Sequence, residues 1–196
     1  MAAGIFPRAD IYSFEIIKDS YERLARNCRE YKNIRPYNVG LSDIEGEKDA
    51  FFSPDRSSHA TCVKNFSEEF HHYQPQRSMV RMDTGDRFCS REKIVSIDYL
   101  KIDAEGFEPQ ALKGFEGMLK AGKIRVIQFE YGYVNAFVKF LLKDFYDYLR
   151  PFDMRVGKIY PNHVEFRDYR LQDENFCGPN YLAVRSSEES LIKALG

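Results

Sequence analysis

At 196 residues the chain has the length of one domain, 1–196, and can bury a core without disulfide or metal staples. Its 43% hydrophobic and 30% charged residues are those of a soluble globular protein, and a net charge of −1 argues against a nucleic-acid binder driven by phosphate neutralisation. Cys28, Cys62, Cys89 and Cys177 form no CxxC pair and lie at no zinc-finger spacing from a histidine, so they read as reduced thiols. Neither a signal-peptide pattern nor an apolar run of roughly 18 residues appears, so the expectation is a cytoplasmic chain with no membrane partner.

Residues 10–15, Asp-Ile-Tyr-Ser-Phe-Glu, read as a strand ending in an acid. Asp19 and Glu22 then have capping-box-like spacing, and Ile17, Tyr21, Leu24, Ala25 and Cys28 share one helical face. Residues 34–41 read as the next strand, closed by Ser42-Asp43. A turn at Glu45-Gly46-Glu47 and a return strand over 49–53 make a hairpin. Residues 54–77 are weakly patterned and read as a long loop or lid. The adjacent His71-His72 pair there does not share a helix face, which favours solvated side chains over a metal site. An edge strand over 78–82 and a short irregular segment to Lys93 follow.

Residues 98–109, Asp-Tyr-Leu-Lys-Ile-Asp-Ala-Glu-Gly-Phe-Glu-Pro, organise the rest of the chain. A buried strand runs into a loop carrying Asp103 and Glu105, and Pro109 suits the first turn of a helix because its missing N–H is no loss there. Glu108 decorates that helix start or joins the other two acids. One helix is expected over 109–121, with Ala111, Leu112, Phe115, Met118 and Leu119 inward and Gly122 as its C-cap. Residues 124–130 form another apolar strand ending in an acid. A helix over 135–150 places Phe137, Leu141, Phe145 and Tyr148 inward, and strands over 154–160 and 181–185 are joined by a long charged loop before a terminal helix.

This alternation predicts an α/β fold with a mostly parallel sheet. Glu15, Asp103 and Glu130 each end a strand, and parallel strands would gather those acids at one edge, where open α/β sheets bind ligands. A carboxylate at the position of Glu15 either caps the following helix or accepts both ribose hydroxyls of an adenosine-containing cofactor.

Three stretches resemble one family. "DYLKIDAEGFE" at 98–108, "LKG" at 112–114 and "QFEYG" at 128–132 look like the motifs of FkbM-type methyltransferases. "YSFE" at 12–15 resembles that family's strand ending in Phe-Glu-Pro, with Ile16 in place of the proline, and Gly40-Leu41-Ser42-Asp43 with Gly46 resembles its next strand end and turn. The resemblance covers roughly residues 11–132. It implies a Rossmann-like class I methyltransferase sheet with an antiparallel C-terminal strand, S-adenosylmethionine as cofactor and a small hydroxylated acceptor of sugar or natural-product type. Glu15 would then hold the cofactor ribose, Leu41, Ser42 and Asp43 would lie near its adenine, and Asp103 would border its methyl group. Asp103, Glu105 and Glu130 are the expected catalytic residues, with Glu130 and Tyr131 facing the acceptor. A carboxylate taking the hydroxyl proton is favoured over a site in which these acids hold Mg²⁺, so no metal ligand is assigned.

The family's first strand, which ends in a glycine-rich loop, and the helix after it need roughly 25 residues or more, whereas nine residues precede Asp10 and Gly4 is the one glycine among them. The sheet is therefore expected to be N-terminally truncated, with a gap between the strands ending in Glu15 and Asp103. Either those two strands close on each other, or a second copy or partner chain fills the slot, or the sequence is a truncated reading frame. A non-catalytic binding module of the same fold is the alternative to an enzyme.

Overall fold

The computed structural model describes residues 6–53, 60–64, 66, 75–178 and 180–196. β1 (Ile11–Phe14) is followed by α1 (Lys18–Cys28) and β2 (Ile34–Tyr37), which pairs with β1 in parallel. β3 (Gly40–Ser42), β4 (Gly46–Phe52) and β5 (Gln76–Thr84) form a separate sheet ordered β3-β5-β4. After α2 (Gly85–Arg91) come β6 (Ile97–Ile102), α3 (Glu108–Lys113), α4 (Glu116–Lys120), β7 (Ile124–Glu130), α5 (Val134–Val138) and α6 (Leu142–Leu149). β8 (Met154–Ile159), β9 (Val164–Phe166), β10 (Asn180–Arg185) and α7 (Glu189–Leu195) complete the described elements.

The largest sheet is ordered β6-β7-β10-β8-β9, with β6 and β7 parallel and β10 antiparallel to both of its neighbours. β7 and β8 therefore run the same way with β10 reversed between them, the antiparallel C-terminal strand the sequence led one to expect. The core packs on one face of this sheet, where Ile127, Phe129 and Ala183 are fully buried against Leu112, Leu142, Phe145 and Leu149. α7 covers the other face through Val126, Leu182, Val184 and Ile192.

Among the described residues β1 hydrogen-bonds only with β2, and β6 only with β7. The two strands expected to flank the gap thus do not close on each other, and each keeps an unpaired inner edge. Helix α2 bridges the two sheets beneath that gap. Its Phe88 packs edge-on against Tyr12, Phe14 and Tyr37 of β1 and β2, while Cys89 lies in the core shared with Leu100 of β6.

Several expected elements differ, each for a local reason. The strand expected over 34–41 breaks at Asn38, whose Nδ2 donates to the carbonyls of Glu15 and Ile16, and the chain leaves to form β3 in another sheet. β4 does not form a hairpin with β3, because β5 lies between them as the central strand, so residues 78–82 are not on an edge. The segment before Lys93 is helical, capped by the Thr84 hydroxyl. No capping box opens α1, whose N-cap is Ile17. The helix expected over 109–121 splits at Gly114, where a Cβ would sit 2.1 Å from the Ser42 carbonyl oxygen, so close approach to β3 requires glycine. The helix expected over 135–150 breaks at Lys139, which has φ 53°, and its buried face becomes Leu142, Phe145, Tyr146 and Leu149 with Leu141 exposed. The charged loop after β8 contains β9, its hairpin partner. Gly122, at φ 66°, sits where the helix stop was expected.

Of the expected lid over 54–77, His59, His71 and His72 lie outside the described residues. Residues 60–64 are folded in: Thr61 is fully buried and pairs with Phe51 through both backbone groups.

Candidate active site

β6 and β7 are in parallel register, Lys101 opposite Gln128 and Ile102 opposite Phe129. That register carries Asp103 and Glu130 to adjoining strand ends. The Asp103 and Glu130 carboxyl groups face each other closely enough to interact, and Lys101 Nζ lies 2.5 Å from Asp103 Oδ2. Burial pushes the Glu130 carboxyl up to about 7, and the neighbouring Asp103 and Glu105 charges raise it further than Lys101 lowers it. Glu105 is also raised, first by burial and then by Asp103. On the other side of Glu130, Asn180 of β10 faces it across the antiparallel ladder and accepts a 2.9 Å hydrogen bond from Gln128, which itself accepts from the Tyr99 hydroxyl.

The loop after β6 is held by an acid the sequence left ambiguous. Glu108 is 1% exposed and accepts from the Ala104 N–H (2.7 Å) and the Gly106 N–H (2.9 Å), folding the carboxylate back over its own loop. Its carboxyl is pushed up to about 7 by burial, against the pull of those N–H groups and with the help of Glu130. Within this loop Glu105 has φ 48° and Gly106 φ 96°. A side chain at Gly106 would run into Val134, 2.3 Å from the Cβ position, so α5 closes against that peptide.

Glu15 follows β1, and its Oε1 accepts from the N–H of Ile17, the N-cap residue of α1, at 3.1 Å; α1 has no side-chain cap bond of its own. Burial raises its pKa, partly offset by the Ile17 and Ile16 N–H groups and by Arg23. Ile16 and Ile17, just beyond Glu15, share an apolar cluster with Ala104 and Phe107, just beyond Asp103. The segments after β1 and β6 therefore border one apolar cluster, and the structure brings Asp103, Glu105 and Glu130 together.

It does not bring Leu41, Ser42 and Asp43 to the end of the strand beside β1. Leu41 packs on the core, Ser42 is fully buried with its hydroxyl donating to Asp43, and Asp43 is exposed at the end of β3. Asn38 holds the position next to Glu15 instead. Tyr131 does not face an open cleft either: it is fully buried against Phe176 and Tyr181, and its hydroxyl donates to Glu174 at 2.7 Å. Glu174 also accepts from the Leu142 and Lys143 N–H groups, so it caps α6. Among the described residues no group of three or more His, Cys, Asp or Glu side chains has the arrangement of a metal site, and no helix is long and apolar enough to cross a membrane.

Carboxylates at the ends of adjacent parallel strands, one of them raised toward neutral pH, mark the ligand-binding edge of an α/β sheet. The sequence matches the family described as "Methyltransferase FkbM domain" over residues 5–170, and the chain belongs to that family. It is similar to the hexuronic acid methyltransferase AglP of Haloferax volcanii, 25% identical over 127 residues, 64% of this chain and 49% of that protein. Its fold is similar to that of the crystal structure of methyltransferase FkbM from Methylobacillus flagellatus, with a TM-score of 0.50 and 13% identity over 92% of this chain and 39% of that one. The chain thus spans about half, or less, of the length of these relatives.

Proposed function

We propose that the chain is an S-adenosylmethionine-dependent methyltransferase acting on a hydroxyl of a small acceptor of sugar or natural-product type. The observation that carries this reading is the meeting of Asp103, Glu105 and Glu130 at the ends of β6 and β7, with the residues after Glu15 in the same apolar cluster as those after Asp103. The Glu15 carboxylate fits a ribose: an ionised carboxylate has about four acceptor positions, and the Ile17 N–H occupies one. The cofactor, when bound, supplies an already activated sulfonium methyl group.

The protein's own part is alignment and proton removal. Glu130 is the general base, because a carboxylate poised near 7 holds its proton loosely enough to be free at neutral pH and tightly enough to accept one from a hydroxyl. The Asp103 charge beside Glu130 raises its proton affinity, and Lys101 fixes Asp103. Glu105 accepts from a second acceptor hydroxyl, holding the reacting oxygen in line. Mg²⁺ is not needed in this scheme, since Lys101 already supplies the positive charge at Asp103.

A second reading, a binding module without catalysis, is favoured by the edges of β1 and β6 that have no strand partner among the described residues. In the catalytic reading a parallel strand from outside these 196 residues completes the sheet there. Thermal unfolding with S-adenosylhomocysteine separates the two. At 100 times its dissociation constant the ligand adds about 2.7 kcal/mol, a rise of several degrees in Tm, and Glu15→Gln weakens binding by about tenfold with the fold intact. No shift at millimolar ligand overturns the catalytic reading, and unchanged affinity in the variant removes Glu15 from the site.

A further inference from the structure

The loop bearing Glu105 carries more constraint than its own sequence supplies. A non-glycine residue in the left-handed region costs roughly 1 kcal/mol or more, so Glu105 at φ 48° needs something outside the loop to hold it. That holder is Thr61, distant in sequence and fully buried. Its Oγ1 donates to the Glu105 carbonyl oxygen at 2.6 Å and accepts from the Val63 N–H at 3.0 Å, so both its hydrogen-bonding capacities are used. Thr61 is in turn fixed by two backbone hydrogen bonds to Phe51, of 2.8 and 3.0 Å, at the end of β4.

The neighbours of Thr61 close on the same turn. Val63 Cγ2 lies 3.1 Å from the Cβ position of Gly106, and Val134 of α5 meets it from the other side. Phe66 packs edge-on against Phe137 of α5 at 5.3 Å. Ala60 and Cys62 join the apolar cluster of Ile16, Ile17, Ala104 and Phe107 beneath the strand ends. The described part of this segment is thus a strap across the Glu105–Gly106 peptide.

We propose that Thr61 is a positioning residue for the carboxylate cluster: its hydroxyl locks the Glu105 backbone in the left-handed turn that keeps the Glu105 carboxylate within electrostatic reach of Asp103 and Glu130. This deepens the reading of Glu130 as base. Without the hydroxyl, the Glu105 carbonyl and the Val63 N–H both lose their partner, and Glu105 relaxes toward negative φ. Its charge then moves away from Glu130 and water reaches the cluster, two changes that both make Glu130 a stronger acid. The groups facing Glu130 are Asp103 and Glu105 of the loop, Lys101 of β6 and Glu108 of α3, with neutral Asn180 on β10.

The test is a ¹³C carboxyl NMR titration of Glu130 in the wild-type chain, Thr61→Val and Thr61→Ser. The wild type and Thr61→Ser titrate at about 7, and in Thr61→Val the midpoint falls toward the usual carboxylate range. A midpoint that stays in place in Thr61→Val while its Tm drops overturns the proposal, as does an equal fall in Thr61→Ser. Because no cofactor or acceptor is present, the outcome is independent of the S-adenosylhomocysteine experiment. Should Thr61→Val fail to fold, amide hydrogen exchange on the wild type decides. Val63 and Gly106 share protection within about tenfold because strap and loop open together, and Gly106 protected roughly a thousandfold more than Val63 overturns the proposal.

Discussion

Replacing Glu108 with glutamine removes the most deeply buried carboxyl of the site while keeping its shape. In the wild type this group holds its proton up to about pH 7, against an ordinary value of 4.5, chiefly because it is buried. The folded protein therefore binds a proton that the unfolded chain has released across the window between those values. Stability from this group is full below about pH 4.5, falls as pH rises toward 7, and is flat above. A shift of roughly 2.5 units at about 1.4 kcal/mol each amounts to some 3 kcal/mol, of which about 2 to 3 kcal/mol is lost between pH 5 and pH 8. The glutamine does not titrate. It keeps one acceptor for the Ala104 or Gly106 N–H and turns an amide N–H₂ toward the other, a pH-independent cost of about 1–3 kcal/mol. That offset cancels when the two pH values are compared. Urea unfolding at pH 5 and pH 8 should thus show Glu108→Gln gaining about 2 to 3 kcal/mol relative to wild type on going to the higher pH, equivalent to roughly 5–10 °C in Tm. An identical wild-type-to-variant difference at both pH values would refute the assignment of a buried, proton-holding carboxyl to Glu108.

Gly114→Ala should lower the urea midpoint with an unchanged slope, by about 1–3 kcal/mol, because the new Cβ meets the Ser42 carbonyl; an unaltered midpoint would mean that α3 does not pack so closely on β3. Methyl transfer to a hydroxyl acceptor should rise with pH through a midpoint of about 7 and level off above it, since only the deprotonated form of Glu130 serves as base. Glu130→Gln should lower kcat by about 10²–10⁴ and abolish that midpoint, with cofactor affinity retained. A variant that keeps the wild-type pH profile would exclude Glu130 as base.

The strand-acid-loop-helix unit around Asp103 is legible in the sequence because it is local. Apolar residues, the Asp103 and Gly106 breaks and Pro109 all speak within a dozen positions, and β6 and the start of α3 form where they are read, although β6 is buried only at Ile102. The Glu15 unit is legible on the same grounds as strand, acid and helix, although its contact with Ile17 is not a helix cap. What the sequence hides depends on distant contacts. Nothing local marks Asn38 as the point where the chain abandons one sheet for another, because the signal is its hydrogen bond to the carbonyl of Glu15. Gly114 reads as a weak helix residue, with close packing against the sheet as the reason; that packing breaks the helix as well. Thr61 carries no pattern at all, since its role is a hydroxyl aimed at a peptide more than forty residues later. Tyr131 is misplaced by a sequence reading because an aromatic after a strand-end acid suits cleft wall and core equally, and Glu174, which holds it in the core, comes from a loop whose visible signal is charge alone.

The crystal structure of this chain grown with S-adenosylhomocysteine tests the central claim most directly. The account predicts the ligand across the ends of β1 and β6, its ribose hydroxyls on the Glu15 carboxylate and its sulfur toward Asp103 and Glu130. A ligand bound elsewhere on the chain, or Glu15 still engaged with Ile17 alone while the strand ends stay empty at saturating ligand, would contradict it.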